Sequence, residues 1–196
     1  PPTIVAVGRL TPQKGFDVLL AAFAAIGQPA AGWRLEIYGE GPQRSPLEDQ
    51  ITRLGISNCV QLMGNSSTPG GWVENADLFV LSSLYEGFPN VLGEAMAAGL
   101  PVISTRCEFG PAEMIEHGRS GLLVTPEDPV ALSEALQQCI EDETLRGQLG
   151  KQAAQAIAAF SPAQVMRKWD AVLAEALSPP VRTSQKTTQS MKEAAP

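Results

Sequence analysis

The sequence predicts an α/β fold: a doubly wound parallel sheet of about six strands with helices on both faces, followed by a C-terminal helical extension. Two observations carry this expectation. Short apolar or β-branched runs alternate with segments of helical period through residues 3–125. Several of those runs, IVAV and LFVL most clearly, are apolar along their length instead of alternating, as befits strands covered on both faces. Beyond Asp128 the pattern becomes helical throughout.

Residues 3–8, TIVAVG, form a β-branched run closed by glycine, and residues 15–26 place Phe16, Leu19, Leu20 and Phe23 at helical spacing. The same order returns in WRLEIYG (33–39) with a polar helix over 44–54, and in CVQLMG (59–64) with an irregular stretch to Asn75. DLFVLSS (77–83) is a strongly apolar strand. Residues 90–98 form a helix ended by Gly99, with Pro101 just beyond, and 100–105 and 121–125 supply the last strands. Helices follow over 131–141 and 143–159. After a break at Ser161-Pro162 a final helix runs to about Leu177 with Met166, Trp169, Val172 and Leu173 on one face. Residues 178–196 turn to Ser, Thr, Gln, Lys and Pro without periodicity, which predicts a disordered polar tail after a domain spanning 1–177.

Composition excludes several function classes. A chain of 196 residues with 44% apolar and 18% charged residues is neither disordered, collagen-like nor a coiled coil as a whole. Fourteen Lys and Arg against 21 Asp and Glu give a net charge of -7, and no basic cluster offers a path for nucleic acid. Cys59, Cys107 and Cys139 are odd in number and widely spaced, which argues against a disulfide framework or a zinc site and for a reduced, cytoplasmic setting. His117 is the only histidine, so a histidine metal cluster is excluded; in EHGRSG it reads as a surface turn residue. No run reaches the roughly 18 apolar residues that span a bilayer, and the first residues lack the order of a secretory signal. Neither G-x-G-x-x-G after the first strand nor a P-loop is present.

In a doubly wound sheet, ligands bind at the loops that follow the strands. The first loop, GRLTPQKG, brings Arg9 and Lys14 across a turn containing Pro12, and together they can neutralise a diphosphate; the plainer reading is solvated surface charge. The fourth, SSLYEGFPNVLGEA, puts Glu86 just past a buried strand, Gly87 where backbone approaches something closely, and Pro89 at a first helical position. Free amides near Asn90, Val91 and Leu92, with the helix dipole, make an anion site. Glu94 lies one turn into that helix, where it either accepts hydrogen bonds from a vicinal diol or complements the dipole. GEGP (39–42) reads as a flexible turn bearing Glu40, the backbone of VQLMG around Leu62 can meet a base edge, and Phe109-Gly110-Pro111 reads as turn punctuation.

Taken together, GRL..KG, YGEGP, ADLFVLSS, EGFPNVLGEAMAAGLPVIST, GP..MI and GLLV over about residues 3–177 resemble the Rossmann-like C-terminal domain of a GT-B glycosyltransferase of family 4, the retaining, sugar-nucleotide-dependent group. The resemblance implies that Arg9 and Lys14 hold the donor diphosphate, Glu94 the ribose and Glu86 the donor sugar hydroxyls. It further implies that the backbone of Gly87, Phe88, Pro89, Asn90, Val91 and Leu92 meets sugar and phosphate oxygens, through every amide but that of Pro89, which has no N–H. No metal or cofactor is expected, because the cations and the helix end stabilise the departing diphosphate. The donor implied is a UDP-hexose or UDP-N-acetylhexosamine. NSSTPGGW (65–72) and Leu81 depart from the family pattern and leave base selectivity open. The resemblance implies a preceding acceptor domain, expected to lie outside these 196 residues. The expectation is therefore a donor-binding half that catalyses little alone, with a glycan or lipid-linked acceptor and peripheral membrane contact belonging to that other domain. Two alternatives stand beside it: a noncatalytic nucleotide-sugar-binding module, and a UDP-sugar epimerase-like protein.

Overall fold

A computed structural model describes residues 1–27, 30, 32–66 and 68–177. Six strands, β1 (Thr3–Val7), β2 (Arg34–Tyr38), β3 (Val60–Gly64), β4 (Leu78–Leu81), β5 (Val102–Thr105) and β6 (Leu122–Val124), form one sheet in the order β3-β2-β1-β4-β5-β6. Every neighbouring pair is parallel. The helices are α1 (Phe16–Ile26), α2 (Arg44–Leu54), α3 (Asn90–Ala97), α4 (Pro111–Met114), α5 (Pro129–Glu141), α6 (Glu143–Ile157) and α7 (Pro162–Leu177). All six predicted strands are present. The short α4 and the 3-10 turns at Pro12–Lys14 and Gly71–Asn75 were not predicted.

Side chains of a strand point alternately to opposite faces; at β1, β4 and β5 both faces are dry, whereas β2 and β3 leave every second side chain exposed or half-buried. Ile4 and Ala6 of β1 join Leu19, Leu20 and Phe23 of α1, Leu47 and Ile51 of α2, and Leu132 and Leu136 of α5. Val5 turns the other way, to Leu92, Ala95 and Met96 of α3 and Ala153 of α6. Each fully buried Leu or Ile contributes about 1.5–3 kcal/mol. That requirement explains why β1 and β4 are apolar at consecutive positions, while β2 and β3, covered less completely, alternate.

Two polar devices finish the helical layer. Asp128 accepts hydrogen bonds from the amides of Val130 (3.0 Å) and Ala131 (2.9 Å) and so caps α5. At the other end Arg146 Nη1 donates to the carbonyls of Cys139 (2.6 Å) and Ile140 (3.1 Å), while its guanidinium lies 5.1 Å from the Trp33 ring centroid. His117 is more than a turn residue: its Nδ1 accepts from the Leu123 amide of β6 at 2.9 Å. Because β6 is an edge of the sheet, the imidazole occupies an edge donor that would otherwise be open.

Residues 1–160 form one compact unit; a second begins at Ser161, and α7 is its described part. Met166, Trp169, Val172 and Leu173 of α7 are exposed. The predicted tail at 178–196 lies outside the described residues. Among those described, no helix is long and apolar enough to cross a membrane, and Cys59, Cys107 and Cys139 are free.

Candidate functional site

The strand order reverses between β1 and β4, so the loops leaving these two strands open a crevice at their carboxyl ends. The loop after β1 tightens into the 3-10 turn Pro12–Lys14 and closes on Gly15 in the left-handed conformation (φ 58). A Cβ there would stand 2.3 Å from the Ser82 carbonyl oxygen, so only glycine lets the two loops touch. They are then fastened. Leu84 N donates to Gln13 O (2.8 Å), Ser82 Oγ to Lys14 O (2.8 Å) and Gln13 Nε2 to Tyr85 O (2.9 Å). The fastening brings Lys14 Nζ to 2.6 Å from Glu86 Oε1, with side chains only 17% and 8% exposed. Ser83 Oγ donates to that same oxygen at 2.7 Å.

Beside the ion pair lies a cavity of about 300 Å³ over the carboxyl ends of β1, β2 and β3, lined by Gly8, Arg9, Tyr38, Gly39, Asn65 and Ser66 among others. Gly8 joins the two: a Cβ on it would lie 3.1 Å from Cδ and Cε of Lys14, so the lysine stem packs against a residue of the cavity lining. Arg9 is exposed on the rim, with no ion pair among the described residues. The Tyr38 hydroxyl donates to Glu36 Oε2 at 2.8 Å; burial, then that hydrogen bond, pushes its pKa up to about 12. The opposite wall is rigid. Gly39 (φ 140) would place a Cβ 1.9 Å from Gly8 O, and Gly41 one 2.4 Å from Leu10 O. The GEGP turn is therefore a close-packed contact and not the flexible turn expected. Glu40 is held by Arg44 (2.7 Å), whose hydrogen bond keeps the carboxyl below its ordinary range.

On the β4 side, α3 begins at Asn90, with Pro89 at its cap position and no side-chain cap. The amides of Leu92 (3.0 Å) and Gly93 (3.3 Å) turn back to Pro89 O. The anion site expected at Asn90, Val91 and Leu92 thus narrows to the first two amides. Glu94 is exposed, with no ion pair among the described residues. Nothing lies within 4 Å of a Cβ built on Gly87, but its backbone makes a close approach: a Cβ on Gly110 (φ 86) would meet Gly87 O at 2.4 Å and Pro89 Cδ at 2.7 Å, so the Phe109-Gly110-Pro111 turn seats the loop that carries Gly87. Phe88 is exposed and tilts onto Phe160 at 5.7 Å.

Of the predicted residues, the structure joins Lys14 to Glu86 directly and puts Arg9 on the adjoining rim. Leu62 sits within β3 opposite Ile37, and Asn65 and Ser66 line the cavity instead. Sequence reading missed Ser83, Thr105 and Cys107, which lie beneath Glu86. Thr105 Oγ1 (2.5 Å) and Cys107 Sγ (3.2 Å) both donate to Ser83 O, and burial raises the Cys107 thiol. The signal was present: hydroxyl residues end two otherwise apolar strands, in VLSS and VIST.

The chain matches the family described as Glycosyl transferases group 1 over residues 1–142. It is 39% identical over 177 residues to the exopolysaccharide phosphotransferase SCO2592 of Streptomyces coelicolor, covering 90% of this chain and 19% of that protein. Against the amylovoran biosynthesis glycosyltransferase AmsD of Erwinia amylovora it is 31% identical, covering 87% and 47%. Among solved structures, Anabaena Alr3699/HepE in complex with UDP superposes with a TM-score of 0.79 at 29% identity, covering 88% of this chain and 48% of that one. The chain spans less than half the length of these relatives. With most of its length matched, this chain belongs to the group 1 glycosyl transferase family.

Proposed function

We propose that this chain forms the donor-binding half of a retaining, metal-independent glycosyltransferase that moves a hexosyl or N-acetylhexosaminyl group from a UDP-sugar to a glycan or lipid-linked acceptor. The observation that carries the reading is the Lys14–Glu86 pair at the point where the strand order reverses, beside a cavity of about 300 Å³. Cavities of that size accept a nucleotide-sized portion of a ligand. Arg9, Lys14 and the first amides of α3 supply the positive field that a departing diphosphate needs, which is why no metal is invoked. Glu86 meets the donor sugar hydroxyls, and Glu94 the ribose. A UDP-bound relative at 29% identity supports the choice of nucleotide. The acceptor is assigned to a second domain, in keeping with the fraction of each relative that this chain spans, and the reaction to the cytoplasmic side, in keeping with free cysteines.

Arg9 gives the cleanest test. Lys14 is paired in the protein interior, and removing it strands a carboxylate at a cost of about 3–5 kcal/mol, which confounds stability with binding. Arg9 is exposed, so Arg9→Ala leaves the melting temperature unchanged while weakening UDP by about tenfold, the worth of one charge-assisted hydrogen bond. Calorimetric titration with UDP, GDP and ADP checks this. Wild-type protein that takes up none of them refutes the reading, and turnover by the full-length protein separates a transferase from a binding module.

A further inference from the structure

We propose that Ser83 is a positioning residue: its hydroxyl keeps the Glu86 carboxylate aimed at the donor sugar when Lys14 transfers its charge to the diphosphate. The inference rests on the donor-binding reading above and adds a residue to it. Glu86 Oε1 accepts from both Lys14 Nζ (2.6 Å) and Ser83 Oγ (2.7 Å), whereas no hydrogen bond reaches Oε2 among the described residues. One oxygen is thus anchored and the other is left for a ligand.

The two anchors differ in what a donor does to them. An arriving diphosphate brings at least two negative charges and competes with Glu86 for the ammonium. The serine hydroxyl is neutral, and Ser83 is fully buried. Its own backbone is pinned from the next strand, with Thr105 Oγ1 at 2.5 Å and Cys107 Sγ at 3.2 Å on its carbonyl oxygen. A diphosphate cannot draw it away. Without the hydroxyl, Glu86 in the liganded protein would sit near a like charge with no fixed rotamer, and the sugar would lose its acceptor while the diphosphate kept its cations.

The test compares UDP with UDP-glucose and UDP-N-acetylglucosamine by calorimetry on wild type, Ser83→Ala, Ser83→Cys and Ser83→Thr. The quantity read is the affinity gained when the sugar is present. Ser83→Ala loses about tenfold of that gain, the scale of one hydrogen bond to a charged group, while UDP alone changes by less than about twofold. Ser83→Thr keeps the hydroxyl and restores the gain. Ser83→Cys, close to serine in volume and a weaker donor, falls between them and covers the case in which the alanine variant misfolds. In turnover of the full-length protein, Ser83→Ala lowers kcat with the UDP-sugar more than it raises KM. Parallel losses for UDP and UDP-sugar, or no loss in any variant, overturn the proposal. Wild-type protein that binds UDP without any gain from the sugar overturns it too while leaving diphosphate binding intact, whereas no UDP binding at all refutes the donor-binding reading itself.

Discussion

Gly39 and Gly147 show that a glycine is read correctly only with its neighbours. Gly39 adopts φ 140 and hands its amide to Gly64 O at 2.7 Å, and an added Cβ would fall 1.9 Å from Gly8 O. Gly147 lies in α6 with nothing within 4 Å of its Cβ position. Gly39→Ala is therefore expected to destabilise by more than about 2 kcal/mol, through backbone strain and displacement of β1 from β2. Gly147→Ala is expected to stabilise by about 0.5–1 kcal/mol, the difference in helix propensity. Urea midpoints at constant m-value check both signs. The sequence shows two glycines and cannot separate them, because the atom that forbids a side chain at 39 belongs to the loop that leaves β1, distant in sequence. The same holds for Gly110, whose neighbour is the Gly87 carbonyl.

At the scale of elements the sequence was far more legible, and the reason is burial. Strands buried on both faces, as β4 and β5 are, are apolar at consecutive positions, so VLSS and LPVIST announce themselves, whereas β2 and β3 alternate. Helices announce their ends through caps, and Asp128 before Pro129 is such a signal, satisfied by two amide hydrogen bonds. Asp128→Ala should cost about 1 kcal/mol, seen as a lower melting temperature with the UDP affinity unchanged. The 3-10 turns and α4 left no periodic signature because they are too short to repeat. Yet the first of these turns carries Lys14 to Glu86. The candidate site was thus legible as a set of residue types on the right loops. Which of them touch was not, since the contacts depend on how the β1 and β4 loops are tied together.

The whole molecule adds a response that no single loop predicts. Cys139 lies fully buried in α5, within the layer that also holds α1. Burial pushes its thiol up to about 12, with Arg146 nearby opposing the rise and Asp142 adding to it. In the unfolded chain the thiol ionises near 8.5. A group whose pKa is higher in the folded protein contributes stability that is complete below the unfolded value and is lost as pH rises toward the folded one. Stability should accordingly be level from pH 7 to about 8.5 and fall progressively from there to about pH 12. Tyr38, raised from 10.0 to about 12, adds to the fall only above about pH 10, with a smaller effect because solvent screens it. Cys139→Val keeps an apolar side chain of similar size and removes the proton. Its melting temperature should fall less steeply with pH than that of wild type between pH 8.5 and 10.5, whatever its value at neutral pH. Equal slopes for the two proteins would mean that α5 opens to solvent before the thiol ionises, and that the helical layer over α1 is not the cooperative unit its packing indicates.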